Sequence, residues 1–385
     1  MNPDKRLIFL LSTSALLLFG WASVADADTI CIKARNPAGK RVNIFRRIMP
    51  GTAKCPRGFL EIINTSALIG PAGPVGAEGR SKIYGDGSAG NKTVTSGGTL
   101  ADANMQYNDF AVHSGATLTV PSGTVIRCTG SFTNNGTIQV ETGAAGGVRS
   151  GADASTIEEM SAGAHSGIST QAAAASELGN NTASRTGGRG GRGMTEVAAR
   201  ALRFVGPNAG GGGGCADPDN CEAGSGGGSL VILCDGPITN NGSISADGAD
   251  SPLAGGGGGG GVLILASRTS VTNSSTGTIS ADGGDGAASD SDQGASGGGG
   301  GGVLHLIAPM VDNDGYATAV GGLAGAPGAS GSVSDMLRAG GGSGGACGGN
   351  GGDGGAVNSA GTPAAGENGS TGYVIISEQD PTGTF

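Results

Sequence analysis

Aromatic side chains are scarce in this sequence. Phe, Trp and Tyr make up only 3% of the 385 residues, and the single tryptophan, Trp21, lies in an N-terminal segment with the features of a signal peptide. The mature chain therefore has no tryptophan on which a sugar or a nucleic-acid base could stack. Nucleic acid is the least favoured partner, because the basic part of the chain lacks the aromatic interleaving typical of such binders.

Long apolar runs are also lacking. After a positively charged start, the apolar stretch that ends near Trp21 is shorter than the roughly 20 residues that span a bilayer. Residues 25–27 read Ala-Asp-Ala, the small-x-small pattern of a signal-peptidase site. We predict that residues 1–27 are a cleaved signal peptide, the alternative being an uncleaved anchor. No later segment is long enough to span, so the mature product is expected to be secreted or at the cell surface.

Basic residues are nearly absent from the second half of the chain, which the net charge of −9 conceals. Residues 28–80 carry nine Lys/Arg and three Asp/Glu, residues 81–205 carry nine of each, and residues 206–385 carry two and seventeen. This asymmetry predicts a modular molecule with a basic head. The head is expected to be a solvated basic surface or, as a functional alternative, to meet an acidic polysaccharide or membrane phosphate.

Glycine, in contrast, accounts for 82 residues. Glycine has no side chain to bury and loses the most backbone entropy on folding, which argues against a helix-rich enzyme with a broad core. Collagen throughout is excluded, because the Gly-x-y pattern holds only over residues 70–79. Apolar runs at residues 230–233, 262–265 and 373–376 indicate strands and disfavour full disorder. The composition predicts an all-β architecture punctuated by glycine.

Seven cysteines follow the signal peptide, in an exported chain where disulfides can form. The odd number leaves at least one thiol free or paired between chains. No Cys-x2-Cys spacing occurs and the three histidines are scattered, so the sequence does not indicate a zinc site. The disulfide candidates are the local pairs Cys31 with Cys55 and Cys215 with Cys221, and a distant pair, Cys128 with Cys234.

The N-terminal part is predicted to be a small β head at residues 28–69, stapled by the first local cysteine pair. Residues 70–80 follow as a collagen-like spacer, either a stiff polyproline-II segment or a collagen stub that would make the chain a homotrimer. With the Cys-Pro-Arg-Gly-Phe run at residues 55–59, this order resembles bacterial and phage collagen-like surface or tail-fibre proteins. The resemblance implies a surface or fibre role.

An internal repeat governs the fold expected for the rest of the chain. Residues 126–138 match residues 232–244 without a gap, and two weaker copies follow. A unit of this kind cannot bury its own apolar face, so the copies must stack. Residues 83–90 and 131–138, together with the later glycine tracts, resemble glycine-rich secreted proteins of the parallel β-solenoid type. We predict a right-handed parallel β-helix, with its first coils at residues 81–146 and an acidic, glycine-rich solenoid at residues 229–385.

Stacking in register would place equivalent side chains above one another at a spacing of about 4.8 Å. Cys128 and Cys234 share a register position, so we predict that they are adjacent, bridged or as buried thiols, with residues 147–228 looped out between their coils. Four asparagines also share a position, and we predict that they form a column that binds corner backbone groups, the alternative being isolated turn residues: Asn134, Asn240, Asn273 and Asn313.

The Gly/Ala-rich insertion at residues 147–228 holds the segments with the strongest helical pattern, residues 155–178 and 195–204. Between them, basic residues lie among glycines. This pattern is typical of a mobile linker, with an anion-contacting loop as the alternative. The basic residues concerned are Arg185, Arg189 and Arg192.

Glycine tracts occupy residues 210–214, 255–261 and 297–302, and the last two stand directly ahead of apolar strands. A plain linker would not need to recur at that place. Without Cβ atoms the tracts could pack as polyglycine-II rods, the alternative being flexible turns. Such rods would resemble the polyglycine sandwich of some phage adhesins. That resemblance implies receptor recognition by the loops between tracts, here residues 215–225, 247–254, 282–296 and 321–337.

Chemical motifs are weak in such a sequence. Ser296 and Ser343 fit the nucleophile-elbow string but lack its strand-to-helix context, and His305 has no orienting partner in sequence. Acidic residues near the repeat corners are a better candidate site, because stacked carboxylates repel unless they are solvated or bridged by Ca²⁺. We prefer the interpretation that these acids are solvated, and calcium binding is the alternative. The acids concerned are Asp247, Asp250, Asp282 and Asp285.

Together these patterns predict an exported, non-enzymatic fibre or adhesin that binds a cell-surface glycan or another surface receptor. Two alternatives stay open. A β-helical polysaccharide lyase or hydrolase needs acidic residues clustered with Lys or Arg on a strand face, whereas residues 206–385 offer only Arg268 and Arg338. The other alternative is a purely structural component of an extracellular matrix or envelope.

Overall fold

The structure is a computed structural model that describes residues 29–35, 43–49, 60–64, 81–148, 162–164, 168, 171–175, 178–179, 184–215, 221–289, 293–328 and 338–385. The chain divides into two compact units, Met1–Glu78 and Gly79–Phe385. The predicted signal peptide and the predicted spacer at residues 70–80 lie outside the described residues.

The first unit contains a three-stranded antiparallel sheet. Its strands are β1 (Thr29–Arg35), β2 (Asn43–Met49) and β3 (Leu60–Asn64), in the order β2-β1-β3. Cys31 lies on the central strand, but Cys55 falls outside the described residues, so their pairing stays a prediction.

The second unit is nearly all β. Among its described residues, the helices are α1 (Ser81–Tyr84) and α2 (Glu196–Ala201), and a 3-10 turn, Pro381–Gly383, lies close to the last residue of the sequence. The strands are β4 (Lys92–Val94), β5 (Gly98–Thr99), β6 (Gln106–Tyr107), β7 (Phe110–Val112), β8 (Thr117–Val120), β9 (Thr124–Cys128), β10 (Phe132–Asn134), β11 (Thr137–Val140), β12 (Leu178–Gly179), β13 (Ser229–Cys234), β14 (Ile238–Asn240), β15 (Ser243–Ser245), β16 (Val262–Ser267), β17 (Ser270–Asn273), β18 (Thr278–Ser280), β19 (Val303–Ala308), β20 (Met310–Asn313), β21 (Tyr316–Thr318), β22 (Arg338–Ala339) and β23 (Tyr373–Glu378).

Eighteen of these strands form three parallel six-stranded sheets. Sheet I has the order β20-β17-β14-β10-β7-β4, sheet II the order β21-β18-β15-β11-β8-β5, and sheet III the order β23-β19-β16-β13-β9-β6. The chain visits sheets I, II and III in turn and then repeats, so it winds through six stacked coils. This arrangement confirms the predicted all-β class and is that of a parallel β-helix.

The register of the coils follows the internal repeat. Cys128 pairs with Cys234 in sheet III, and Phe132 pairs with Ile238 in sheet I. The same pairing continues in sheet II, where Ile138 faces Ile244. Because a slip of one residue would turn every inward side chain outward, the apolar positions hold this register.

Apolar columns fill the interior of the coils. One column in sheet III runs from Ile126 through Ile232, Leu265 and Leu306 to Ile376. Strands β10 and β14 alternate between buried and partly exposed residues, whereas β13, β16 and β19 are buried at every position. Sheet III is therefore covered on both faces, which explains its unbroken apolar runs.

A second apolar cluster covers the outer face of sheet III. Met194, Ala199 and Val205, in and around α2, pack there against alternate residues of β13, β16 and β19. The helix begins after Thr195, whose hydroxyl accepts a hydrogen bond from the Ala198 amide. The predicted helical segment at residues 195–204 thus contains a real but shorter helix.

The other predicted helical segment, residues 155–178, is wrong where the structure describes it. Residues 171–175 are not helical, Gln171 pairs with Arg192 as an isolated antiparallel bridge, and the Ala174 amide donates to the Arg189 carbonyl at 2.9 Å. Alanine favours helices when isolated, but its small side chain also suits the close backbone packing found here. Tertiary packing overrides local propensity at this place.

The apolar side chains buried inside the columns are expected to contribute most of the free energy of unfolding. We expect Ile232→Ala to lower the free energy of unfolding by about 2–5 kcal/mol, because Ile232 is 0% exposed and the truncation leaves a cavity. Ile376→Ala is the matched control, since Ile376 ends the same column and is 46% exposed. Chemical denaturation should show a smaller decrease in the free energy of unfolding for Ile376→Ala than for Ile232→Ala. Equal decreases would contradict the conclusion that this column ends exposed to solvent at Ile376.

Candidate functional site

Four long connections leave the β-helix at one corner, between sheet II and sheet III. They span residues 141–228, 246–261, 281–302 and 319–372, and we call them the excursions. In the first two coils the same connection is short, at residues 100–105 and 121–123. Because successive coils stack, the excursions leave the helix one above another and lie side by side.

The glycine tracts of the excursions pack against one another as buried backbone. Residues 210–214, 255–261 and 297–302 are all buried, and a further tract at residues 340–345 is buried with them. None of these tracts belongs to a regular helix or sheet. The predicted alternative of flexible turns is therefore wrong for them, because their peptide groups are enclosed by other backbone.

Tract 255–261 shows how this backbone is hydrogen-bonded. Its N–H groups reach three neighbours in turn, with a period of three residues. Gly257 and Gly260 donate to Gly297 and Gly300 at 3.1 and 2.8 Å. The other two neighbours follow the same period: Gly256 and Gly259 donate to Gly214 and Gly211, and Gly258 and Gly261 donate to Ala249 and Ala246.

The carbonyl groups of tract 255–261 reach three further segments, where they accept from Gly227, Gly284 and Gly345, each at 2.8 Å. A β-strand has hydrogen-bonded neighbours only on its two sides. This tract is bonded in six directions, and its three-residue period is that of the polyproline-II helix. We call the assembly of bonded tracts the glycine lattice.

Glycine is required in the lattice because the backbones approach too closely for a side chain. A Cβ atom built on Gly345 would overlap the carbonyl oxygen of Gly211, and one built on Gly299 would overlap that of Gly258. Most lattice glycines meet a carbonyl oxygen in this way. Their abundance is thus a packing requirement rather than a sign of flexibility.

The basic segment around Arg185, Arg189 and Arg192 belongs to the same lattice. The Gly188 amide donates to Gly341 at 2.9 Å and the Gly191 amide to Gly344 at 3.0 Å. The mobile linker predicted for these residues is therefore wrong. Gly188 and Gly191 are buried and let the segment pack closely, whereas Arg189 and Arg192 are exposed.

A single methyl group should disrupt the lattice. We expect Gly345→Ala to destabilise the protein by about 1–3 kcal/mol, the usual cost of overpacking. Gly206→Ala is the control, because its Cβ would meet no atom within 4 Å, and its effect should stay within about 0.5 kcal/mol. Thermal and denaturant unfolding check this, and a tolerated Gly345→Ala would contradict the close packing.

The predicted asparagine column is present as a ladder of side-chain amides. Asn134 Nδ2 donates to Asn240 Oδ1, Asn240 Nδ2 to Asn273 Oδ1, and Asn273 Nδ2 to Asn313 Oδ1, each at 2.8 Å. The second N–H of each donor reaches a backbone carbonyl of the next coil, as from Asn134 to Ser243 at 3.1 Å. The ladder satisfies buried polar groups at the corner between sheets I and II.

Removing a buried asparagine of the ladder should lower the free energy of unfolding more than removing an exposed asparagine that makes the same kind of hydrogen bond. Asn240→Ala leaves buried partners unsatisfied on both sides, and we expect a loss of at least about 2 kcal/mol. Asn241 is the matched control, since it donates to Asn135 at 2.8 Å but on the exposed side. Asn241→Ala should change the unfolding free energy by less than about 0.5 kcal/mol. Equal effects in denaturation experiments would contradict a structural role for the buried ladder.

The five cysteines whose side chains are described divide into one bridge and three buried thiols. Cys215 and Cys221 form a disulfide, and Cys128 and Cys234 lie side by side as free, buried thiols. Burial raises the pKa of the Cys234 thiol, and the adjacent Cys128 adds to the effect. Burial also raises the pKa of Cys347 to about 12. Thiols so protected are poor nucleophiles, so none of the three suits covalent chemistry.

The four stacked acids predicted near the corners bind the backbone of the next coil. Asp247 Oδ1 accepts from the Asp282 amide at 2.7 Å, and Asp250 Oδ1 accepts from the Asp285 amide at the same distance. Asp282 in turn accepts from the Val320 amide at 2.8 Å. Burial, more than the neighbouring Asp247, raises the pKa of Asp282. A backbone amide of the next coil thus lies between successive carboxylates, and its dipole offsets part of their repulsion.

Neither a metal cluster nor a serine-hydrolase site emerges within the described residues. No group of three or more His, Cys, Asp or Glu there could hold a metal ion. Ser296 and Ser343 are buried, and the Ser343 hydroxyl donates to the Ala174 carbonyl at 2.6 Å. His305 contacts Ser377 instead, with 2.8 Å between Nε2 and Oγ, and burial lowers the pKa of His305 to about 4.

One polar cluster was missed by sequence reasoning because its members lie on two different strands and in a connection between strands. Lys92 Nζ lies 2.8 Å from Asp102 Oδ2, and the Tyr107 hydroxyl donates to the same oxygen at 2.7 Å. Hydrogen bonds from Lys92 and Tyr107 lower the pKa of Asp102, whereas burial raises that of Tyr107. The pKa values of Asp102 and Tyr107 are therefore both moved away from neutral pH, which fits a structural role better than proton transfer.

Comparison with known protein families, curated proteins and solved structures gives no significant match. Within the described residues, the helices are all too short to cross a bilayer. The functional argument therefore rests on the glycine lattice, the loops at its edge and the ends of the β-helix.

Proposed function

We propose that the protein is an exported, non-enzymatic surface or fibre protein whose excursion loops bind a cell-surface glycan or another surface receptor. The observation that carries this proposal is the shared corner from which all four excursions leave the β-helix. Loops held in one place by a rigid scaffold lose little entropy on binding. A lattice of buried backbone is such a scaffold, because few of its torsions can move without breaking hydrogen bonds.

In this proposal the tracts are polyglycine-II rods around a right-handed β-helix. The six bonding directions of tract 255–261 and the three-residue period of its N–H groups support the rods. Parallel strands joined by crossovers favour the right hand. Rods of this kind extend sideways from the coils and carry their loops away from the apolar core.

The chemistry of the loops suits hydroxyl-rich, uncharged ligands. Two loops are described in full, residues 247–254 and residues 356–368, and the second was not among the loops predicted from sequence. Their exposed side chains are short, polar or acidic, with one larger apolar group: Asp250, Pro252, Leu253, Asn358, Ser359, Thr362, Glu367 and Asn368. Acceptors of this kind bind sugar hydroxyls, whereas their negative charge would repel an acidic polysaccharide.

Export is supported by the signal-like N-terminus and by the disulfide between Cys215 and Cys221. Disulfides persist in oxidising compartments outside the cytoplasm. The bridge closes the base of one loop in the first excursion, where it would keep the loop in shape. A mass spectrum of the secreted product should show a chain that begins at Asp28.

Binding can be tested with a glycan array and with whole cells, using the mature, full-length chain. We expect binding to neutral glycans, and at least a tenfold loss in the variant Leu253→Ala, Thr362→Ala, Glu367→Ala, since removal of a few central contacts costs about 1–2 kcal/mol. The control changes exposed residues on the strands of the β-helix itself, Thr117→Ala with Gln139→Ala, and should bind as the unmodified protein does.

Three outcomes would contradict the proposal. Release of unsaturated sugar products from a polysaccharide would reveal a lyase instead. Equal loss of binding in the loop variant and the control would place the site elsewhere. Absence of binding to any glycan or cell surface would favour a purely structural role.

A further inference from the structure

Exposed apolar side chains concentrate on the sixth and last coil. Met310 is 61% exposed and Tyr316 71% exposed, at the edges of sheets I and II. Val374 and Ile376 are nearly half exposed on the edge strand of sheet III. Two further exposed residues, Val320 and Leu323, belong to the excursion of the same coil. We call this surface the open end.

The open end is where the interior of the β-helix meets solvent. Val374 lies over Leu304 and Ile376 lies over Leu306, so both continue apolar columns of the core. The outer edges of β20, β21 and β23 have no partner strand among the described residues. The Asn ladder also ends here, because Asn313 accepts from Asn273 but no further described coil accepts from Asn313. Solenoids usually cover such an end with a polar cap.

At the opposite end of the β-helix, the outer edge of β6 is covered. The Ala89 amide donates to the Gln106 carbonyl and the Asn108 amide to the Gly90 carbonyl, each at 2.8 Å. In the first coil Leu100 and Tyr107 are buried. A strand added to sheet III at this end would have to displace residues 89–90.

Charge narrows the choice of partner. Asp312, Asp314 and Glu378 are exposed on the open end. Two copies that met through their open ends would bring these carboxylates towards their own equivalents, and like charges across an interface are unfavourable. A basic partner with an unpaired strand is the better match. This chain contains one region of that character, residues 28–80, with nine Lys/Arg against three Asp/Glu.

We propose that the open end binds the basic N-terminal unit of a second copy of this chain. That unit offers β2 as an edge strand of its sheet, and the sequence of β2 contains Arg46 and Arg47. The other edge strand, β3, contains Glu61 instead. Addition of β2 to the edge of sheet III would satisfy unpaired backbone groups and cover Val374 and Ile376.

Such a contact joins different surfaces of the two copies. Each bound copy leaves its own open end free for the head of the next copy, so the contact repeats head to tail and builds a fibre when the rotation between copies does not close a ring. The inference deepens the fibre part of the proposed function and does not require receptor binding by the excursion loops. Failure of either one therefore leaves the other intact.

The test mixes two variants of the mature chain, each blocked on one side. Arg46→Glu with Arg47→Glu blocks the head, and Val374→Glu with Ile376→Glu blocks the open end. We expect the unmodified chain to form larger species as concentration rises and to lose them at high salt. Each blocked variant alone should associate at least tenfold more weakly. In an equimolar mixture, the open end of the head-blocked variant can still bind the head of the other variant. Analytical ultracentrifugation of the mixture should therefore show a dimer and no larger species.

Two further variants make the result specific. Val197→Glu, at a site 79% exposed on α2, should assemble as the unmodified chain does. Asp312→Arg with Asp314→Arg should recover association with the head-blocked variant by charge reversal. Circular dichroism verifies that every variant folds.

Three results would overturn the proposal. The first is a mass that does not change with concentration up to roughly 0.1 mM, the weak end of specific association. The second is loss of assembly in the variant blocked at the open end but not in the head-blocked variant, which would indicate contact between two open ends. The third is an assembly that neither set of substitutions affects.

Discussion

A buried peptide group must find a hydrogen-bond partner, and the whole molecule is arranged around that requirement. In the β-helix each strand of the four inner coils meets the requirement through the coils above and below. In the glycine lattice there are few side chains to help, and tract 255–261 meets it through six surrounding segments. The Asn134 ladder and the Asp247 carboxylate serve the same end at corners, where backbone alone leaves groups unpaired.

The β-helix and the glycine lattice depend on each other at sheet III. Its strands β13, β16 and β19 are buried on both faces, because the columns fill one side while α2 and its flanking residues cover the other. Each of these strands also receives the end of an excursion, so the tract that finishes at Gly261 passes directly into β16. The lattice is therefore anchored to the hydrophobic core through continuous chain, and it is not a separate domain tethered by linkers.

Much of the fold could be predicted because the repeat fixes register. The match between residues 126–138 and 232–244 was enough to place Cys128 beside Cys234 and Asn134 beside Asn240, and the two weaker copies aligned Asn273 and Asn313 with them. What could not be predicted was the role of short, low-complexity segments. Residues 171–175 and the glycines around Arg189 have no local pattern that distinguishes a linker or a helix from a lattice rod. Their conformation is decided by neighbours far away in sequence, such as Gly341 and Gly344.

The common corner from which the excursions depart separates two ways in which this molecule can vary. Each coil contributes a fixed rise set by strand spacing, so the coil count determines length and tolerates little change. The excursions, however, differ in length: one spans residues 246–261 and another spans residues 319–372, and the coils stack in the same way at both. Insertions and deletions within an excursion can thus reshape the outer surface while the repeat is inherited unchanged. Divergence between related chains should accumulate in the excursions and spare the columns.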